Sequence, residues 1–367
     1  MGFDQVGLPE ARELWVSANG FGRWREQLRA QVLDEVADFL ARARIEELAL
    51  TGAEEVLGQY ALGGKCLRST FMYLGWLCGE QPDPAALRAC ASLELLHAFA
   101  LLQDDVMDEG QLRRGEAAAH VRLAERHRQN GRSGSARRFG ASAATLLGDI
   151  CLVWAEQMLR DSGVAAAGSA RLWPLYDRMR IELAVGQFAD LTNDSRDLPT
   201  LEAVLAVARA KSGNYTVRRP LELGSALAGC SAETSAALGR YGDLVGEAFQ
   251  LRDDMLGIFG SAAITGKPED SDLGQYKATT VVVAAFEMAA IAVRIELAEL
   301  ITQPVLDAGA IRRCRELIAA TGAPDRIESM IADRVSAATA VLETSDLAPD
   351  RRAALAHMAV LCTARQQ

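Results

Sequence analysis

Leu95-Leu96-His97-Ala98-Phe99-Ala100-Leu101-Leu102-Gln103-Asp104-Asp105-Val106-Met107-Asp108 is an apolar run that ends in three aspartates. It does not alternate apolar and polar residues as a half-exposed strand would, and upstream it continues to Ala85, a helical length. Asp83-Pro84 supplies an N-cap and a first-turn proline, and Gly110 is placed to stop the run, so a helix is expected over Ala85 to Asp108. Asp104 and Asp108 are four apart and share one face, about one turn from each other. Two hard carboxylates on one face suit Mg2+ held jointly by protein and substrate phosphates. A polar helix end facing solvent is the alternative reading.

Apolar residues recur at three- and four-residue intervals through nearly the whole chain, with abundant Ala, Leu and Glu, so the fold is read as all-α. Further helices are expected over Trp24 to Arg44, Ser142 to Arg160, Trp173 to Thr192, Leu201 to Lys211, Ala232 to Leu256, Thr280 to Leu300, Ala310 to Ala320 and Asp325 to Thr344. Thr200 and Ser231 are positioned as N-caps. Gly131 to Gly134 and Gly260 to Asp272 read as surface loops. With no Pro/Ser-rich linker, low-complexity tract or short repeat, residues 1–367 are expected to form one compact domain.

Half of the 367 residues are hydrophobic and 24% are charged, the balance of an ordinary folded chain. A net charge of −10 argues against a general nucleic-acid binder, which needs a basic face for phosphates. A local cluster of cations can still receive a small anionic substrate. The seven cysteines show no metal-ligand spacing and sit mostly in apolar runs, which suits a reducing cytoplasm. Met1 to Glu10 carries Asp4 and Glu10 and does not read as a signal peptide. The stretch Thr279 to Val293, taken as the most apolar, is interrupted by Glu287 and is too short for a membrane span.

Arg113-Arg114-Gly115 follows the first aspartates by five residues, and the planar donor fork of arginine matches phosphate. Far downstream, Phe249-Gln250-Leu251-Arg252-Asp253-Asp254-Met255-Leu256-Gly257 repeats the theme of an acidic pair at the end of an apolar helix. Two such helices facing each other in a bundle would place carboxylates on both walls of one cavity. Lys267 and Lys277 follow the second pair as the arginines follow the first.

From about Gly63 to Thr279 the chain resembles the trans-type prenyl diphosphate synthases, the family of farnesyl and geranylgeranyl diphosphate synthases. The resemblance rests on the order and spacing of Gly63-Gly64-Lys65-Cys66-Leu67-Arg68, Glu94-Leu95-Leu96-His97, the first aspartate motif with Arg113-Arg114-Gly115, Gly148-Asp149, Gly186-Gln187 with Asp190, Lys211-Ser212, the second aspartate region, and Lys267 with Asp272 and Lys277. It implies a helical bundle of the isoprenoid synthase type around a central substrate cavity, working as a homodimer. It implies a Mg2+-dependent head-to-tail condensation of isopentenyl diphosphate with an allylic prenyl diphosphate, with Mn2+ able to substitute. Asp104, Asp108 and Asp253 would hold metal. Arg113, Lys211, Ser212, Gln250 and Lys267 would receive the allylic diphosphate, and Lys65, Arg68, His97 and Arg114 the isopentenyl diphosphate. Asp105, Gln187, Asp190, Asp254 and Lys277 are further candidates, although Gln187 and Asp190 could equally pair with helix neighbours, and His97 could be a core histidine.

The resemblance further implies that the residues four and five before Asp104, Ala100 and Phe99, limit product length, because in this family the growing tail runs down the same helix from the first aspartate motif. One aromatic beside one alanine points to geranylgeranyl diphosphate, with farnesyl or C25 diphosphate as alternatives. Phe99 lies roughly 140° around a helix from Asp104, so Ala100 faces the tail more directly. The chain departs from the family pattern at Gly257, where an aspartate is usual, and at Cys66, often an arginine. A non-catalytic partner subunit is therefore a rival reading, as is a terpene cyclase. The cyclase reading fails on Asn193-Asp194-Ser195, because position 197 is Asp where a hydroxyl is needed.

Overall fold

The computed structural model describes residues 15, 17–46, 52–192, 198–260, 273, 277–303 and 306–364. Expectations for Lys267, Asp272, the loop around Pro268 and Asn193 to Asp197 lie outside them. Helices make up almost all of the described structure: α1 Ala18–Arg42, α2 Ala53–Ala61, α3 Leu67–Leu77, α4 Pro84–Met107, α5 Ala119–Gln129, α6 Ala136–Arg160, α7 Ala166–Leu191 and α8 Leu201–Ala208. A π-helical segment, Arg209–Arg218, runs into α9 Arg219–Ala228, followed by α10 Ala232–Phe259, α11 Thr280–Met288, α12 Ile291–Ile301, α13 Ala308–Ala320, α14 Ala323–Glu343 and α15 Pro349–Thr363. The fold is all-α, as expected.

The N-caps read from sequence form. Asp83 accepts from the Ala85 and Ala86 amides at 2.7 and 3.0 Å, Thr200 from Ala203 at 3.2 Å and Ser231 from Thr234 at 3.1 Å. Each satisfies a donor that has no partner inside its helix. At the other end of α4 the left-handed residue is Glu109, with φ 50°, while the Gly110 amide bonds the Asp105 carbonyl at 2.9 Å.

Helix α4 is the centre of the bundle. It buries residues on every side, from Ala86 and Leu87 through Leu93 to Leu96 and on to Leu102, as a helix surrounded by others must. It packs chiefly along α6, with α1, α2 and α3 on other sides. Being apolar all round, α4 is also long and apolar enough to cross a bilayer, as is α6; most of the α4 stretch is buried inside the protein. Among the described residues, these two helices have that length and composition.

Two other expectations are corrected. The helix read as Thr280 to Leu300 is two helices, because Ala289 and Ala290 are extended, with ψ of 137° and 154°. The helix read as Leu201 to Lys211 is α-helical only to Ala208 and continues in π geometry. There the π segment crosses α10 at Gly213 and Gly246. A Cβ on either would come within about 3 Å of the other's backbone, so only glycine allows this approach. The helices α2, α3, α5, α9 and α15 complete the bundle beyond those read from sequence.

Candidate active site

The C-terminal end of α4 places Asp104 and Asp108 at a junction with α7 and the π segment. Lys211, in the π segment, reaches Asp190 of α7 at 2.6 Å and Asp104 at 3.3 Å. Lys277 reaches Asp108 at 2.6 Å and Asp190 at 3.9 Å. Three carboxylates and two ammoniums from four parts of the chain thus interleave. Burial opposes the Lys211 charge, but Asp104 and Asp190 outweigh it and raise its pKa. The same balance, with Asp108 the leading carboxylate, raises that of Lys277. Ser212 lies half-buried beside Lys211, and Gln187 of α7 donates to the Met107 sulfur on α4 at 3.7 Å. Gln187 and Asp190 therefore pair across elements, not with helix neighbours. Gly186 permits this junction, since a Cβ there would stand 2.5 Å from the Lys211 amide nitrogen.

Asp105 has the opposite surroundings. It is 1% exposed and accepts from the Tyr60 hydroxyl at 2.5 Å and from Arg113 Nε at 2.9 Å. Arg113 also bonds Asp104 at 3.1 Å, so it ties the helix end to a small hairpin. That hairpin pairs Leu112–Arg113 with Glu116–Ala117, and its turn residues Arg114 and Gly115 both have positive φ, 54° and 80°. A two-residue turn of this hand matches strand twist, but a non-glycine residue pays a steric cost there. Cys66, Glu109 and Arg114 are the non-glycine residues with positive φ among those described, and all three border this site, where backbone strain tends to gather.

The second acidic pair divides in the same way. Asp254 is 7% exposed and accepts from the Thr280 amide and hydroxyl at 2.9 and 2.6 Å and from Gln250 at 2.7 Å. Its neighbour Asp253 is half-buried on the adjacent face of α10. Asp254 thereby fixes the start of α11, three residues after the Lys277 that reaches Asp108. The two aspartate regions, about 150 residues apart in sequence, converge through that short segment.

A second cationic group adjoins the first, around His97, which lies seven residues before Asp104 and so on nearly the same face of α4. Arg114 donates to the Gln59 carbonyl at 3.1 Å, and its guanidinium occupies the space where a Cβ on Gly63 would be, 2.1 Å away. Arg68 donates to the Thr216 hydroxyl at 2.9 Å and lies 4.3 Å over the Tyr215 ring. The His97 ring is 6.3 Å from that of Tyr215. Burial, followed by the charges of Arg68, Arg114 and Arg113, holds the His97 pKa well below its usual value, so the imidazole is neutral. Lys65 is exposed at the edge, its carbonyl accepting from Arg25 at 3.3 Å. Beneath this group lies Glu94, 4% exposed, which accepts from Ser69. Burial raises its pKa, while the Ser69 bond and the Arg68 charge pull it down. Cys66 is buried and also hydrogen-bonds Glu94, so its thiol serves the support of this group. Tyr60, Tyr215 and Thr216 carry no sequence motif of their own, and nothing in the Glu94-Leu95-Leu96-His97 stretch by itself signals the supporting place of Glu94.

Phe99 and Ala100 are half-buried on α4 and pack against the main core. Among the described residues no three Asp, Glu, His or Cys side chains gather closely enough to hold a metal alone. Asp104 and Asp108 each pair with a lysine at this junction, Asp104 with Lys211 and Asp108 with Lys277.

Carboxylates at helix ends interleaved with lysines, and an adjoining group of arginines, thus meet inside one helical bundle. Residues 53–318 match the polyprenyl synthetase family, and the chain belongs to it. It is similar to a geranylgeranyl diphosphate synthase of Mycobacterium tuberculosis, 32% identical over 78% of this chain and 77% of the relative. It is also similar to a geranylfarnesyl diphosphate synthase of Aeropyrum pernix, 30% identical over 73% and 79%. The crystal structure of a Corynebacterium glutamicum geranylgeranyl pyrophosphate synthase, complexed with isoprenyl diphosphate and magnesium, superposes with a TM-score of 0.88 at 34% identity, covering 93% of this chain and 99% of that one. The chain is accordingly a prenyltransferase of the trans-prenyl diphosphate synthase type.

Proposed function

We propose that this prenyltransferase joins isopentenyl diphosphate to an allylic prenyl diphosphate, head to tail, and stops at the C20 product, geranylgeranyl diphosphate. The observation that carries the reading is a pair of adjoining groups along the last turns of α4: Lys211, Lys277 and Arg113 with the aspartates, and Arg68 and Arg114 around His97.

In this reading Asp104 and Asp108, with Asp253 from α10, hold Mg2+, which when bound neutralises charge on the departing diphosphate. Arg113, Lys211 and Ser212 bind the same diphosphate, joined by Gln250, which in this structure donates to Asp254. Lys267 belongs with them by resemblance alone. Lys65, Arg68, Arg114 and the neutral His97 orient isopentenyl diphosphate. The allylic C–O bond breaks with its electron pair on the diphosphate oxygen. The isopentenyl double bond attacks the resulting carbon, and a proton passes to released diphosphate. No side-chain nucleophile is required. Asp105 and Asp254, both buried and fully engaged, serve as supports for their neighbours.

The C20 length rests on Phe99 and Ala100, and the differing products in the names of the two relatives make it the finer part of the reading. Phe99→Ala, given geranylgeranyl diphosphate as starter, is expected to yield C25 or longer products by mass. An unchanged C20 limit in a well-folded variant removes Phe99 from the tunnel floor.

The same reading includes one working domain, supported by α10, whose Tyr241 and Val245 join one core cluster and whose Leu251 and Ile258 join a second. It includes a homodimer, supported by Leu146 and Val153, 61% and 65% exposed and seven residues apart on α6. It also includes a cytoplasmic setting, in keeping with seven free cysteines.

A further inference from the structure

Tyr215 and Thr216 are both buried in the π segment, and the mechanism above uses neither. Yet Arg68 lies over the Tyr215 ring at 4.3 Å and donates to Thr216 Oγ1 at 2.9 Å. We propose that Tyr215 and Thr216 are positioning residues of the isopentenyl diphosphate subsite, which lock the Arg68 guanidinium in the orientation that receives the anion. The proposal rests on the assignment of Arg68 to that subsite.

An arginine beside two other arginines and a neutral histidine is pushed outward by like charge, and its long stem has many rotamers. The Glu94 carboxyl beneath attracts it, and two contacts fix its orientation. The negative face of the Tyr215 ring attracts the guanidinium plane, and the Thr216 hydroxyl takes one N–H and fixes the plane's rotation. Arg68 Nε and His97 Nδ1 are both buried and have no hydrogen-bond partner among the described residues. Unsatisfied buried polar atoms are costly, and two of them bordering one aromatic ring suit a place prepared for an acceptor-rich ligand. The π geometry adds a reason for the placement. Its i to i+5 hydrogen bonds set Lys211 toward Asp104 and Asp190, and Tyr215 toward Arg68, within one ten-residue element. Both diphosphate subsites are thus referenced to a single piece of backbone, which is tied to α7 by the Lys211 to Asp190 pair at 2.6 Å and the Asn214 to Glu182 bond at 3.5 Å.

The test is steady-state kinetics of the purified full chain with isopentenyl diphosphate and the allylic diphosphate varied separately, alongside the melting temperature of each variant. Tyr215→Leu is expected to raise KM for isopentenyl diphosphate about tenfold and to leave the allylic KM within about twofold. Tyr215→Phe, which keeps the ring, should restore the wild-type value. Thr216→Val should raise the isopentenyl KM by roughly threefold. If Tyr215→Leu does not fold, the Thr216→Val and Tyr215→Phe results decide. An unchanged isopentenyl KM in Thr216→Val and in folded Tyr215→Leu, an equal rise in both constants, or a Tyr215→Phe variant as impaired as Tyr215→Leu would overturn the proposal. A wild-type chain that turns over no isopentenyl diphosphate overturns the subsite assignment, and the proposal with it.

Discussion

Asp104 and Asp105 are adjacent in sequence and opposite in circumstance. Asp104 is open to the junction with Lys211, whereas Asp105 is sealed under Tyr60 and Arg113. Asp104→Ala or Asp108→Ala is therefore expected to lower kcat by about two to three orders of magnitude, as when a preorganised electrostatic stabiliser is removed, with little change in melting temperature. Asp105→Ala should instead cost of order 3 kcal/mol of stability, because it strands a buried hydroxyl and part of a guanidinium. Comparable kcat losses at all three positions without destabilisation would contradict this division. The periodicity of the motif already placed Asp104 and Asp108 on one face, but the seal over Asp105 was not legible, since Tyr60 comes from 45 residues away. His97 gives a pH dependence. In the unfolded chain a histidine protonates near pH 6.5, while in the fold His97 resists protonation until lower pH. The unfolded state then binds more protons below about pH 6.5, so native stability falls there. On going from about pH 7.5 to about pH 5.5, the wild-type melting temperature should drop more than that of His97→Asn, because the variant lacks this proton-linked loss. Glu94, whose pKa is raised, works in the other direction but is present in both proteins. Equal drops would contradict a buried neutral His97.

Local signals located most helices, because caps and apolar spacing are properties of short windows. Asp83, Thr200 and Ser231 each made the expected bond. The misses arose where tertiary contacts override such windows. The break at Ala289 and Ala290 has no proline or glycine to announce it, and the π segment depends on the close approach of Gly213 to Gly246, residues joined only by folding. The short helices α2, α3 and α9 carry too few turns for periodicity to stand out. Helix α6 makes its own prediction, since Leu146 and Val153 leave an apolar stripe on its outer face. The wild-type chain is expected to sediment as a dimer, and Leu146→Asp combined with Val153→Asp as a folded monomer. A monomeric wild type, or a double variant that remains dimeric, would show that this stripe is not the interface.

At the scale of the molecule, the folded chain brings together what the sequence spreads over more than 170 residues. Lys277 meets Asp108, and Thr280 meets Asp254, so the second aspartate region closes on the first. The order of the motifs pointed to this convergence through family resemblance; the elements that enforce it, Lys277 bridging to Asp108 and Asp190 and the π segment that carries Lys211 to the same carboxylates, emerge only from the packing. Gly257 lies within α10 as an ordinary helical position, and Cys66 is absorbed into the support of Glu94. Neither departure removes a group that the proposed condensation uses, which weighs against a non-catalytic subunit. The most direct test is incorporation of labelled isopentenyl diphosphate by the purified chain alone, with Mg2+ and each short allylic starter, followed by mass analysis of the products. The account predicts Mg2+-dependent extension accumulating at C20 and abolished by excess chelator. No extension of any starter, or extension undiminished by the chelator, would contradict it.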